Sequence, residues 1–305
     1  MKMKFIAKKE NVGRRLDKLI AGYWPQYSRA YIQKQVKGGA VLVNGQIKKS
    51  SYLLKENDEI EANILPLPEI SLEPDQTIEL KIIYEDDDVI VIDKPAGLIV
   101  HPSATQKSGT LVNGLLAHYP LLKGVGEDPV RPGIVHRLDK DTSGLMIVSK
   151  NNESFGFLKD QFKNKKVEKK YLVLVAGRPK ESSGKIKTFI SRSKSDPTRQ
   201  KISQHGAKEA ITFYKTIREF RNFTLIEAVP KTGRMHQIRV QLAWLGNPVT
   251  CDNKYGLKKR ACPEGLTRQF LHAAKLTVVL PDGQKKSFIS HLPPDLDIIL
   301  ASLAR

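Results

Sequence analysis

The segment HRLDKDTSGL, residues 136–145, places two aspartates and three basic side chains in its first six positions. Asp139 stands among His136, Arg137 and Lys140, and the turn formers Thr142, Ser143 and Gly144 follow. A carboxylate on a loop held between two strands can serve as a nucleophile or a general base. The plainer alternative is an aspartate and a threonine satisfying the backbone of a turn. Local sequence leaves both open, and Asp141 suits the turn better.

A second constellation is KTGRMHQIRVQLAWLGNPVTCDNKYG, residues 231–256. Arg234 and His236 open an expected helix whose later face, Ile238, Leu242 and Leu245, is apolar. Arg239 follows Ile238 and lies one helical turn after Met235. An arginine at the edge of a core helix has a carboxylate or phosphate to meet, or belongs to a solvated basic face. Tyr171 begins the strand-like KKYLVLVAG. Such a tyrosine packs in a core or offers its ring to a base.

Several other chemistries fit the spacing less well. HRLD places its aspartate one residue too late for a protein kinase loop, and DFG and a glycine-rich phosphate loop are absent. A glycosidase with Asp139 and Asp141 as its paired carboxylates stays open, although neighbours on a turn rarely flank one bond. Histidines and cysteines show no metal-ligand spacing. Cys251 and Cys262, without a CxxC, read as buried or unremarkable thiols.

The elements that must position these residues are legible in outline. Residues 1–64 carry 13 basic and 6 acidic side chains, a balance of +7. RRLDKLIAGYW and SRAYIQKQVKGG have the apolar spacing of short helices, the second opened by Ser28. AVLVNGQIKKSSYLL reads as a hairpin turning at Asn44 and Gly45. Residues 65–78 hold three prolines and no periodicity, and read as a linker. From residue 79, LKIIYEDDDVIVIDKP reads as two strands around Asp86–Asp88, and GTLVNGLLAHY as a helix. GIVHRL and GLMIVSK read as strands flanking Asp139. NNESFGFLKDQFKNKK reads as a helix, and the segments after it as a run of strands closing in a hairpin over Pro-Asp-Gly. Strands following strands predict an α+β fold with a mixed, largely antiparallel sheet and flanking helices.

Composition narrows the partner. Fifty-one Lys and Arg against 32 Asp and Glu give +19 over 305 residues, which favours a polyanion. A membrane surface is the weaker reading, because no run of about 20 apolar residues occurs and MKMKFIAKKE lacks a signal-peptide core. Two cysteines are too few for a disulfide scaffold, so a reducing cytoplasm is expected.

Together the segments VIDKPAGLIVHP, PGIVHRLDKDTSGLMIVSK, KKYLVLVAG, TGRMHQIRVQLAWLGNPVTCDNKYG and FLHAAKLTVVLP closely resemble the RluA-type pseudouridine synthases, in layout the RluD-like branch. RLDKLI and SRAYIQKQVKGGAVLVNG resemble the small αL RNA-binding module of a ribosomal protein. The resemblance implies an αL module over 1–64, a linker over 65–78 and a synthase domain over 79–305. It implies isomerisation of uridine to pseudouridine in structured RNA, with ribosomal RNA favoured, in a cytoplasmic monomer without metal or organic cofactor. Asp139 would be the reacting carboxylate, Tyr171 the ring against the extruded uracil, and Arg239 the partner that aims Asp139. Arg137 would fill the space the base leaves or hold a neighbouring phosphate. Ile238 would lie beneath the base, and Arg234, His236, Arg29 and Lys34 would contact RNA. KNKKVEKK, SRSKSDPTRQK and GLKKRA would add phosphate contacts. Gln241, where many relatives have His, and Met235, where Thr is common, are mild departures. Two rivals differ in outcome: a non-catalytic ribosome-assembly protein leaves uridine unchanged, and a nucleoside glycosidase releases uracil. A relative acting on transfer RNA differs only in substrate.

Overall fold

The computed structural model describes residues 2–25, 27, 29–65, 72–103, 106–204, 206–256 and 262–304. The chain divides into two compact units, Met1–Glu69 and Ile70–Arg305.

The first unit runs β1 (Lys2–Ile6), α1 (Leu16–Tyr23), α2 (Arg29–Lys37), β2 (Val41–Val43), β3 (Gln46–Ile47) and β4 (Glu59–Asn63). Its sheet has the order β1-β4-β2-β3, all antiparallel. Asn44 and Gly45 take φ of 52° and 73°, the left-handed pair that a two-residue hairpin needs. Ile60 and Ala62 of β4 point inward and Glu59 and Glu61 outward, the period-2 alternation of a sheet buried on one face. The buried face meets Leu16, Leu19 and Ile20 of α1 and Ile32 and Val36 of α2. Ser28, the expected cap, lies outside the described residues.

The second unit runs β5 (Ile82–Glu85), β6 (Val89–Lys94), α3 (Leu111–His118), β7 (Ser143–Ser149), α4 (Asn152–Lys163), β8 (Glu168–Ala176), β9 (Ser183–Arg192), β10 (Gln200–Ile202), β11 (Lys208–Glu219), β12 (Phe223–Pro230), α5 (Gln237–Trp244), β13 (Leu271–Val279), β14 (Lys285–Ile289) and α6 (Pro294–Leu303). One sheet takes the order β10-β9-β11-β12-β8-β13-β7-β6-β5, with β14 also on β13. Its pairs are antiparallel except β13 with β7, which run parallel. The fold is therefore α+β with a mixed, largely antiparallel sheet, as the strand runs predict.

The central strands are buried on both faces, which explains their unbroken apolar runs VIVI and LMIV. Ile90, Ile92, Met146 and Val148 join one core cluster with α3, Tyr171 and the α5 residues Ile238 and Leu242. Val89, Val91, Leu145 and Ile147 face the opposite way, against Leu158 of α4. Asn151 caps α4 by accepting from the Ser154 N–H at 2.8 Å.

Four expectations change. GIVHRL is not a strand: one bridge, Ile134 with Val148, is its only strand pairing. The Ile147 N–H is taken instead by His136 Nε2, at 3.0 Å. The helix expected from Arg234 starts at Gln237, because His236 sits in a left-handed conformation at φ 55°. Of the expected linker, residues 72–78 are bound to the second unit. Asn113 donates to the Glu73 carbonyl at 2.8 Å, the Asp75 N–H donates to the Asn113 carbonyl at 3.0 Å, and a Cβ on Gly114 would collide with Ile78. Finally, Cys251 and Cys262 are joined in a disulfide, their Cα atoms 5.1 Å apart, rather than being separate thiols. Their spacing of eleven carries no motif, and only the return of the chain after α5 brings them together.

Candidate active site

The loop carrying Asp139 is fastened along most of its length. The His136 ring stacks on Phe162 with centroids 4.5 Å apart while accepting from β7. Burial pushes this imidazole down to about 3, so it stays neutral as an acceptor must. The Lys140 carbonyl accepts from the Gly97 N–H at 2.9 Å and from the buried Lys94 ammonium at 3.0 Å. Lys94 donates also to Pro95 and Leu98, and burial pulls it down to about 7 against the charges of Asp141 and Asp139. The Asp141 carbonyl accepts from Arg268 at 3.1 Å, and the Thr142 hydroxyl accepts from Gln269 at 2.9 Å. Gly144 has φ 116° and a Cβ there would strike the Ala273 backbone, so β7 can approach β13 only with glycine at this point. A carboxylate on such a loop is held nearly as firmly as one on a strand.

The opposite wall is α5, locked to the sheet by two glutamines one turn apart. Gln237 accepts from Thr232 at 2.7 Å and donates to the Ile211 carbonyl at 3.1 Å. Gln241, fully buried, donates to the Ala210 carbonyl and Thr188 hydroxyl and accepts from Thr212. Gln241 is therefore a fastener of the helix, outside the chemistry. With these residues on the sheet, Ile238 and Arg239 are presented to the cleft.

Arg239 joins the two walls. Its Nη1 donates to Asp139 Oδ2 at 2.9 Å, and its Nε and Nη2 form a fork on Asp252, at 2.6 and 2.8 Å. Burial opposes its charge, but Asp252 and Asp139 outweigh burial and hold the guanidinium above arginine's ordinary range. His236 Nε2 also faces Asp139 Oδ2, at 3.9 Å. Among the described residues nothing hydrogen-bonds Asp139 Oδ1, and the side chain is 18% exposed.

Asp139 faces a cleft of about 660 Å³. Tyr171, from β8, and Ile238, both largely buried, belong to its apolar lining, with Phe162, Val167 and Leu271 among the rest. Burial, followed by the Asp139 charge, raises the Tyr171 phenol, so it stays protonated at neutral pH. Arg137 is exposed at the rim and donates to His101 Nε2 at 3.0 Å. Arg234 donates to the Glu209 carbonyl at 3.0 Å and lines the cleft with Lys163, Lys169 and Lys231. Burial, with Lys231 nearby, brings Lys169 down to about 8. A planar group held between ring and isoleucine would meet a carboxylate oxygen, with cations nearby for anionic flanks.

Asp139, Tyr171, Arg239, Ile238, Arg137, Arg234 and His236 thus come together. Arg29 and Lys34 lie on the other unit, where Lys34 is exposed and Arg29 donates to Asp17 at 2.9 and 3.1 Å. Most of GLKKRA lies outside the described residues. Sequence reasoning missed Asp252, Tyr255, Lys94 and Lys169, although DNKYG stands directly after the cysteine and KPAG begins on the last residue of β6.

Comparison with known proteins follows the same division. Residues 88–244 match the RNA pseudouridylate synthase family, and residues 14–60 match the S4 domain. An uncharacterized RNA pseudouridine synthase of Bacillus subtilis is 39% identical over 300 residues, covering 98% of this chain and 97% of that protein. A ribosomal large subunit pseudouridine synthase D of Neisseria meningitidis serogroup B is 37% identical, covering 96% and 80%. The solved structure of human RNA pseudouridylate synthase domain containing 1 is similar at TM-score 0.58 and 26% identity, over 76% of this chain and 90% of that one.

Proposed function

The chain belongs to the RNA pseudouridylate synthase family, and on that premise we propose that Asp139 converts a flipped-out uridine of large-subunit ribosomal RNA to pseudouridine. The observation that carries the reading is the half-engaged carboxylate: Oδ2 is held by Arg239, and Oδ1 is left toward a cleft lined by Tyr171 and Ile238. The ribosomal substrate rests on the relative named for the large subunit.

The target base sits inside folded RNA and leaves its stack to reach Asp139. Arg137, at the rim, takes the vacated space or the adjoining phosphate. The uracil lies between Tyr171 and Ile238, and Asp139 adds either to the anomeric carbon or to the uracil ring. The bond from N1 to the sugar breaks, the base turns while held, C5 bonds to the anomeric carbon, and the bond to Asp139 breaks to return the free carboxylate. N1 gains a proton, C5 loses one, and the atoms balance without a further reactant. Bound RNA closing the cleft over Tyr171 and Ile238 keeps water from the sugar, which would otherwise release uracil. Basic groups around the cleft and on the small unit supply affinity that weakens with salt.

Treatment of large-subunit ribosomal RNA transcripts with the purified protein, followed by nucleoside analysis, tests this. Pseudouridine at a defined position with no free uracil is expected. Unchanged uridine overturns catalysis, free uracil points to a glycosidase, and modification confined to transfer RNA overturns the substrate.

A further inference from the structure

The asymmetry at Asp139 has a source beyond Arg239. Tyr255 lies against two guanidinium groups, Arg199 and Arg239, at 5.3 and 5.4 Å from its ring centroid. Its N–H donates to Asp252 Oδ1 at 3.0 Å. Its hydroxyl oxygen accepts from the Gln200 backbone N–H at 2.6 Å, a donor whose direction is unambiguous. That oxygen lies 2.9 Å from His236 Nδ1. With Gln200 already donating to it, the phenol has its own O–H left to donate, and Nδ1 is the acceptor within reach. A neutral imidazole that accepts at Nδ1 carries its proton on Nε2. That N–H faces Asp139 Oδ2 at 3.9 Å. The other tautomer would aim a lone pair at the carboxylate and leave the Tyr255 proton without this acceptor.

Two features support a neutral, oriented ring. Burial lowers the His236 pKa, against the pull of Asp139. The residue also takes φ 55°, a left-handed conformation that side chains other than glycine adopt at a cost. The backbone thus accepts strain where it sets this ring beside the carboxylate.

We propose that His236 is a positioning residue for Asp139: Tyr255 fixes its Nε2–H tautomer, this N–H draws Oδ2 together with Arg239, and Oδ1 is the oxygen that meets the nucleotide. The relay begins at Gln200, where β10 leaves the basic loop 193–199, and ends on the carboxylate. It rests on the reading of Asp139 as the reacting group.

The direct test is the ¹⁵N spectrum of histidine-labelled protein, with the His236 signals assigned through His236→Gln. Protonated Nε2 and bare Nδ1 are expected in the native protein, with a mixture of tautomers in Tyr255→Phe. A proton on Nδ1 in the native protein overturns the proposal. In single-turnover assays at saturating RNA, His236→Leu should slow the reaction by about 10²-fold. His236→Gln, whose amide retains a donor near Nε2, should recover much of that loss. An unchanged rate in a folded His236→Leu protein, or a loss in affinity alone, also overturns it. Should His236→Leu fail to fold, the native spectrum still decides. Turnover by Asp139→Asn would sink the underlying reading while leaving the tautomer result intact, so the two failures are distinguishable.

Discussion

The tetrapeptide Arg-Leu-Asp-Lys occurs twice, at 15–18 at the start of α1 and at 137–140 in the cleft loop. Both leucines are buried. The aspartates part company. Asp17 is fully buried and saturated: Arg15 donates to both its oxygens, and Arg29 and Gln33 add further bonds to Oδ2. Hydrogen bonds from Arg15 foremost, then Gln33 and Arg29, outweigh burial and hold this carboxyl well below its usual range. Two arginines serve one carboxylate there. In the cleft the ratio inverts, with Asp139 and Asp252 sharing Arg239 and one oxygen of Asp139 left open. A fully buried carboxylate with both oxygens engaged is structure, because displacing a partner strands a buried charge. One with a free oxygen beside a cavity is available to a substrate.

Exchanging each aspartate for asparagine should break the comparison most sharply. Asp139→Asn should lower single-turnover rates by roughly 10⁴-fold or more and leave RNA binding and the unfolding midpoint near those of the native protein. Asp17→Asn should do the reverse, costing about 3 kcal/mol in chemical denaturation while sparing chemistry at saturating RNA. Equal losses of turnover in both would erase the distinction. Asp252→Asn should come next: with its fork weakened, Arg239 aims Asp139 less well, and turnover should fall about 10²-fold. Unaltered turnover there would show that Arg239 needs no second carboxylate.

A smaller effect separates the residues preceding each copy, Arg14 and His136. The ordinary histidine value is 6.5 and the native His136 lies near 3. Between these pH values the unfolded chain takes up a proton that the native state refuses. The His136 contribution is thus whole above pH 6.5 and erodes toward pH 3, by at most about 1.4 kcal/mol per pH unit. His101, His236 and His272 are lowered in the same direction. Unfolding free energies from pH 7 to 4 should therefore fall less steeply in His136→Phe, and an identical slope would count against a buried neutral His136. Smallest of all, Lys169→Met should reduce the salt slope of RNA affinity by about one charge. It should also flatten the decline of affinity as pH rises through about 8, where Lys169 loses its proton. An unaltered salt slope would place Lys169 away from phosphate.

How far the sequence could be read differs between elements and site. Helices and hairpins were legible where a period or a turn pair imposes them, as in the Asn44–Gly45 hairpin and the amphipathic α4. GIVHRL failed because its apolar residues resemble a strand, whereas the neighbouring backbone donor is taken by a side chain, that of His136. Asp252 and Tyr255 were invisible as partners because their roles depend on a loop folding back under α5, and no local pattern encodes that return.

By itself the sequence determined the α+β class and the basic small module, and its motif strings singled out Asp139, Tyr171 and Arg239 as candidates, since composition, periodicity and motif strings are local properties. Only the tertiary structure decided which of two identical tetrapeptides holds a free carboxylate oxygen. That outcome depends on how many donors converge on each aspartate, and those donors come from residues as far as 100 positions away.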